Sequence, residues 1–189
     1  MSTKALYKSQ ILNYDLPMEF LDIYDENGIR TGRVIERSSD FSDLREGERL
    51  LLVHVCVFNS AGMMLLQRRQ LTKDRYPGMW DVSAGGFVSS GEDSFGAIRR
   101  ELSEELGMTA EDGSIYFVCR EPFSVVLDDF YAVFSDIDVS QLQLQEEEVM
   151  EAAWFSEQRV LEMLHSGELV DYSEDLIKRM FAAAGSKIM

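Results

Sequence analysis

The segment Gly85 to Met108, GGFVSSGEDSFGAIRRELSEELGM, constrains this chain more than any other stretch. Its paired glycines permit a backbone that approaches its neighbours closely. Ser89 and Glu92 stand at capping-box spacing, and Gly107 is a favoured stop, so a helix is predicted between them. Phe95, Ile98, Leu102 and Leu106 recur at helical spacing and predict a stripe packed on a core. At about 100° per residue, Glu104 and Glu105 fall about 60° to one side and 40° to the other of Glu101. Three carboxylates therefore share one sector beside the apolar stripe.

Like charges at such spacings destabilise an isolated helix by a few tenths of a kcal/mol per pair, in rough terms, so the cluster calls for compensation. A divalent cation with hard oxygen ligands supplies it, and magnesium uses few protein carboxylates while keeping places for water and phosphate. Arg100 precedes Glu101 and lies four residues before Glu104, where its rigid fork can fix a carboxylate. The competing reading is a solvated acidic face in an already acidic protein.

The surrounding chain reads as mixed strands and helices. The run Glu19 to Arg37 places two apolar-bearing segments around Asp25-Glu26-Asn27-Gly28 and predicts a β-hairpin at an edge of the sheet. Leu50 to Asn59 reads as a buried strand, with Met63 to Arg68 as its partner. Trp80 to Ala84, Ser114 to Arg120, Val125 to Phe134 and Ala152 to Phe155 are further strand candidates, with Glu121-Pro122 separating two of them. Helices are predicted over about Glu157 to Leu164 and Ser173 to Ala183, opened by Ser156 and Ser173. At 189 residues and 46% hydrophobic content, one domain is expected. It divides into an N-terminal extension (1–18), the hairpin (19–37), a core (50–155) and C-terminal helices (156–189). Strands and helices without strict alternation predict an α+β or α/β/α sandwich.

Composition removes several classes. A net charge of −16 argues against binding a nucleic-acid polymer or an anionic membrane, both of which require basic patches. No apolar run approaches the roughly 20 residues of a membrane span, and no secretory signal is read at the N-terminus, so a cytoplasmic location is expected. Cys56 and Cys119 form neither a disulfide framework nor a zinc-site spacing, and both read as buried thiols. His54, within an apolar strand, reads as a core histidine.

From Gly86 the order is five residues, Glu92, seven residues, Arg100-Glu101-Leu102, one residue, Glu104-Glu105, one residue, Gly107-Met108. This resembles the Nudix box at every fixed position. The resemblance implies a Nudix-type α/β/α sandwich with a mixed sheet and a loop-helix-loop motif. It implies hydrolysis of a diphosphate bond in a nucleoside diphosphate-linked or related small molecule. By the same resemblance Glu101, Glu104 and Glu105 bind Mg²⁺ or Mn²⁺, Arg100 orients them, and Glu92 supports the loop or joins the metal shell. Glu148 corresponds to a place where many members carry a further metal ligand or general base. Many members also pair as homodimers.

The flanking run Phe58 to Lys73, followed by Tyr76-Pro77-Gly78-Met79-Trp80, is similar to the branch containing isopentenyl-diphosphate isomerase and its hydrolase relatives. Arg68, Arg69 and Lys73 are therefore candidates to contact the diphosphate. Tyr76 and Trp80 are candidates to stack on a substrate ring, and Gly85 and Gly86 are candidates to let it approach. The isomerase requires a cysteine and, two residues later, a histidine where this chain has Gly85 and Phe87, so hydrolysis is the expected reaction. A Nudix module that binds a ligand without turnover is the other alternative.

Overall fold

The computed structural model describes residues 19–37 and 41–188; the N-terminal extension lies outside the described residues. The hairpin strands β1 (Phe20–Tyr24) and β2 (Arg30–Glu36) pair as a sheet of their own. They do not form an edge of the main sheet as expected, but join the rest through the bridges Leu21–Ser89 and Tyr24–Arg49 and through packing of Leu21, Ile23 and Ile35 with Leu50. The turn is set by Asp25, whose Oδ1 accepts from the amides of Asn27 and Ile29, and by Gly28 at φ +78°.

The main sheet is built on β3 (Leu50–Phe58), with β4 (Met64–Arg69), β5 (Trp80–Asp81), β6 (Ala84–Phe87), β7 (Ile115–Phe123), β8 (Val126–Phe134) and β9 (Val149–Phe155). Its order is β5-β4-β3-β8-β7, with β6 also on β3 and β9 on β4. The β3–β8 pair is parallel and the other pairs are antiparallel. Pro122 lies within β7 and does not end it, pairing with Leu127. Proline is tolerated there because β7 is an edge strand, which needs no inward donor at every residue.

Alternation along β3 supplies both faces of a sandwich. Leu51, Val53, Val55 and Val57 pack with Ile98, Leu102 and Leu106 of α1 (Ser94–Leu106). Cys56 and Phe58 pack on the other face with Val160 and Met163 of α2 (Glu157–Ser166) and Ile177 and Met180 of α3 (Glu174–Ile188). Cys56 is fully buried, whereas Cys119 is only half-buried. None of the helices is long and apolar enough to cross a membrane.

Helix α1 begins later than the Ser89-Glu92 spacing predicts. Asp93 is its N-cap, accepting from the Gly96 amide at 2.7 Å. Glu92 instead accepts from the Ser89 amide within the preceding loop. The C-terminus follows expectation: Gly107 is left-handed, its amide bonds Ser103 O, and the Met108 amide bonds Leu102 O. Phe95 departs from the predicted stripe, being 39% exposed while stacking edge-on against Tyr131.

A fork in the sheet positions the site. The antiparallel edge of β3 is shared, with β6 on Leu52–Val55 and β4 on Val57 and Phe58. Past that point β4 leaves β3 and pairs with β5 and β9. Fully buried Ser83 sits in the crotch, where its Oγ accepts from the Val57 amide at 2.8 Å and donates to Leu65 O at 2.5 Å. The gap between the two branches opens into a cavity.

Candidate active site

The cavity encloses about 1060 Å³ and is lined by residues from α1, both arms of the fork, the loop after β4 and the α2–α3 connection. Glu101, Glu104 and Glu105 line it together, but they are not equivalent. Glu101 and Glu105 are 8% and 7% exposed. Glu104 is exposed at the mouth. The solvated-face reading therefore fails for two of the three.

Glu101 is seated by two features. Arg100 Nη1 donates to its Oε1 at 2.6 Å. Gly86 packs so closely that a Cβ there would overlap the carboxylate. Arg100 also donates to Phe87 O at 2.9 Å, to Glu92 at 3.1 and 3.3 Å, and to Glu104 at 3.3 Å. It ties the loop before α1 to two of the three carboxylates. Burial raises the Glu101 carboxyl pKa, with Arg100 opposing the rise.

Glu105 has no such cation. Its Oε2 accepts from Gln67 Nε2 at 2.6 Å, a neutral amide contributed by β4 and itself buried. Burial pushes its carboxyl well above the ordinary range, and the neighbouring Glu101 charge adds to the effect. Gln67 escaped the sequence reading, although alternation along β4 places Leu65, Gln67 and Arg69 on the α1 face, where a polar residue is unusual.

Glu148 reaches the same cavity through backbone geometry. The Gln145 amide bonds Glu105 O at 3.0 Å, and the Glu148 amide bonds Gln145 O at 2.9 Å, folding this loop onto the end of α1. Glu148 pairs with Lys73, so two residues singled out separately in the sequence meet. Arg69 also lines the cavity and donates to Asp81 Oδ2 at 2.9 Å, while Tyr172 donates to Asp81 Oδ1 at 2.5 Å. Asp81 and Tyr172 were not singled out, because no local pattern marks either one.

Two candidates are placed elsewhere. Arg68 points to the opposite face of β4, where it bonds Gly78 O and Glu151 outside the cavity. Trp80 packs edge-on against Phe155 at 4.9 Å and joins the α2–α3 core. Conversely, His54 is a cavity residue and not a core one. Gly85 pairs with it across β3 and β6, and a Cβ at Gly85 would come within 2.9 Å of Val53 O.

Among the described residues no three His, Cys, Asp or Glu side chains converge as a ready metal cage. The donor set nevertheless suits a hard divalent cation. Magnesium is held by one or two carboxylates and retains several waters. Glu101 and Glu105 offer two buried carboxylates one helical turn apart whose charges the protein neutralises incompletely.

The NUDIX domain family matches residues 48–175, from the strand before the fork to the start of α3. Nudix hydrolase lin0387 of Listeria innocua is 36% identical over 155 residues, covering 82% of this chain and 90% of the relative. Nudix hydrolase YfcD of Escherichia coli K12 is 34% identical over 149 residues, covering 75% and 76%. The crystal structure of DR0079 from Deinococcus radiodurans superposes with a TM-score of 0.69 at 25% identity, covering 86% of this chain and 99% of that one. The matched region contains the carboxylate helix, the fork and most of the cavity lining, and the chain belongs to the Nudix hydrolase family.

Proposed function

We propose that this chain hydrolyses a diphosphate bond in a nucleoside diphosphate-linked or related small substrate, with Mg²⁺ or Mn²⁺ as cofactor. The observation that carries this reading is Glu105, a buried carboxylate beside a second buried carboxylate, bonded to a neutral amide and facing a cavity. A buried charge without a counter-charge is costly. A divalent ion held by Glu101 and Glu105 would offset that cost and would supply a charge to meet a diphosphate.

Glu101, Glu104 and Glu105 are the residues that would hold the cation. When bound, such an ion polarises phosphoryl oxygen and lowers the pKa of water. The chain's own groups do the rest. Arg100 holds Glu101 and Glu104 in position and ties them to the loop that ends β6. Gln67 fixes the rotamer of Glu105 from the opposite wall. Glu148, which lines the cavity and pairs with Lys73, would accept a proton from water or add a ligand. Lys73 and Arg69 line the approach of the diphosphate, each already oriented by a carboxylate.

The test is hydrolysis of a panel of diphosphate compounds by the purified protein, read by mass spectrometry with and without Mg²⁺. Cleavage is expected with the metal and is expected to vanish in Glu105→Gln. Full activity in Glu105→Gln, or cleavage indifferent to metal removal, overturns the assignment.

A further inference from the structure

The hairpin of β1 and β2 precedes the family-matched residues 48–175, yet its polar contacts converge on the loop that enters α1. Asp22 is the centre of this grip. Its Oδ1 accepts from Ser90 Oγ at 2.9 Å and its Oδ2 from the Gly91 amide at 3.0 Å. Arg30 pairs with Asp22 Oδ2 at 3.3 Å and donates to Glu92 O. The Ser90 amide donates to Phe20 O at 2.7 Å, and Leu21 bridges Ser89. Every residue from Ser89 to Glu92 is thus held from the hairpin.

What the loop holds in turn gives this grip its consequence. The turn closes as the Glu92 amide donates to Ser89 O at 3.0 Å and Glu92 Oε2 accepts from the Ser89 amide at 3.2 Å. The Glu92 carboxylate then receives Arg100 at 3.1 and 3.3 Å, and Arg100 reaches Glu101 at 2.6 Å. Gly91 sits in the turn at φ +82°, and a glycine-bearing turn has many backbone shapes open to it, so one shape has to be imposed by its surroundings. A carboxylate makes stronger hydrogen bonds than a neutral acceptor, and the Asp22 side chain is only 13% exposed, which limits competition from water. Anchoring of the hairpin itself has other means: Leu21, Ile23 and Ile35 pack with Leu50, and Arg33 bonds Glu48 and, at 2.7 Å, Asp43 O.

We propose that Asp22 is a positioning residue for the active site: by gripping Ser90 and Gly91 it sets Glu92 and Arg100, and through them the orientation of the Glu101 carboxylate. This rests on the reading of Glu101 as a cation ligand and extends that site to the hairpin. Residues that orient a metal ligand carry about 10–100-fold in metal affinity or activity. Asp22 acts through two intermediates, so the low end of that range applies.

The test compares Asp22→Ala with Arg33→Ala, which cuts a different hairpin tether, in the full chain. Calorimetry reads binding of Mn²⁺ alone, steady-state kinetics in Mg²⁺ read hydrolysis of the diphosphate panel, and hydrogen exchange reads the metal-free proteins. Asp22→Ala is expected to lose about 10-fold in Mn²⁺ affinity and in kcat, with KM changed by less than about 2-fold. It is also expected to lose protection at the Glu92 amide, which does not bond Asp22, while β3 and β8 keep theirs. Arg33→Ala is expected to keep its Mn²⁺ affinity and its Glu92 protection. Asp22→Asn, which keeps one acceptor oxygen, is expected to fall between parent and Asp22→Ala, and it carries the comparison with Ser90→Ala should Asp22→Ala fail to fold. Equal losses in the Asp22 and Arg33 variants, or unchanged Mn²⁺ affinity in a folded Asp22 variant, overturn the positioning role and leave the hydrolase reading standing. The expected Mn²⁺ and exchange pattern with no compound cleaved by the parent overturns the hydrolase reading and supports the positioning role. A parent that binds no Mn²⁺ overturns this inference.

Discussion

Gly86 and Glu101 are in such close contact that a single added methyl group on the glycine would occupy the space of the carboxylate. Arg100 donates to the same carboxylate oxygen, so a methyl group at Gly86 would push Glu101 off this bond and toward the cavity. Gly86→Ala should therefore displace Glu101 and lower kcat by about 10²-fold or more, the usual cost of a misplaced group near the chemistry. Steady-state kinetics with a far-ultraviolet CD spectrum check it; unchanged kcat in a folded variant would show that Glu101 is not held by this contact.

Glu105→Gln should separate stability from activity. Replacing the buried carboxylate by an amide removes a charge whose side-chain partner is the neutral Gln67. The metal-free variant should be more stable than the metal-free parent, by about 1–2 kcal/mol, a fraction of the cost of burying an unpaired charge. Added Mg²⁺ should raise the melting temperature of the parent and do little for the variant, as expected for a ligand that binds only the folded state. Thermal shifts with and without EDTA provide the comparison, and an equal Mg²⁺ effect on both proteins would count against Glu105 as a ligand.

Ser83 is small, yet it satisfies two backbone groups where the sheet divides. Ser83→Ala leaves the Val57 amide and Leu65 carbonyl without this partner, at a cost of about 1–3 kcal/mol. Urea denaturation measures the loss. A midpoint within error of the parent would mean that the fork closes without the serine.

Leu102 and Phe95 share the same predicted helical stripe but differ in burial, at 0% and 39% exposed. Leu102→Ala should cost about 2–5 kcal/mol, as in well-packed cores. Phe95→Ala should cost less than about 1.5 kcal/mol, mostly its edge contact with Tyr131. Similar losses in both variants would refute this division of the helix face.

Arg120 and Asp129 form a two-point ion pair at 2.5 and 2.8 Å, with Asp129 only 2% exposed. Arg120→Ala strands the carboxylate, and such losses run to about 3–5 kcal/mol; the low end is expected because the Arg120 side chain is 33% exposed. Arg120 also packs beneath the Gly28 turn, so the same variant should loosen the hairpin. Hydrogen exchange at Ile29 and Arg30 checks that second effect; protection unchanged there would confine the role of Arg120 to Asp129.

Periodicity and end signals determined the local elements and the carboxylate helix: the stripe at Ile98, Leu102 and Leu106, the stop at Gly107, the β-rich run of β3 and the three glutamates in one sector. These follow from spacing along a helix or strand, which a chain carries wherever it packs. Pairing decided the remainder. Only the departure of β4 from β3 made a cavity, turned Gln67 toward Glu105, sent Arg68 to the opposite face and left Trp80 in the α2–α3 core. Only the parallel register of β3 and β8 brought His54 beside Asp128 and Phe130, changing a residue that reads as core into a cavity wall. Partners distant in sequence meet through strand order and register, and those depend on how whole faces are buried together rather than on any local run of residues.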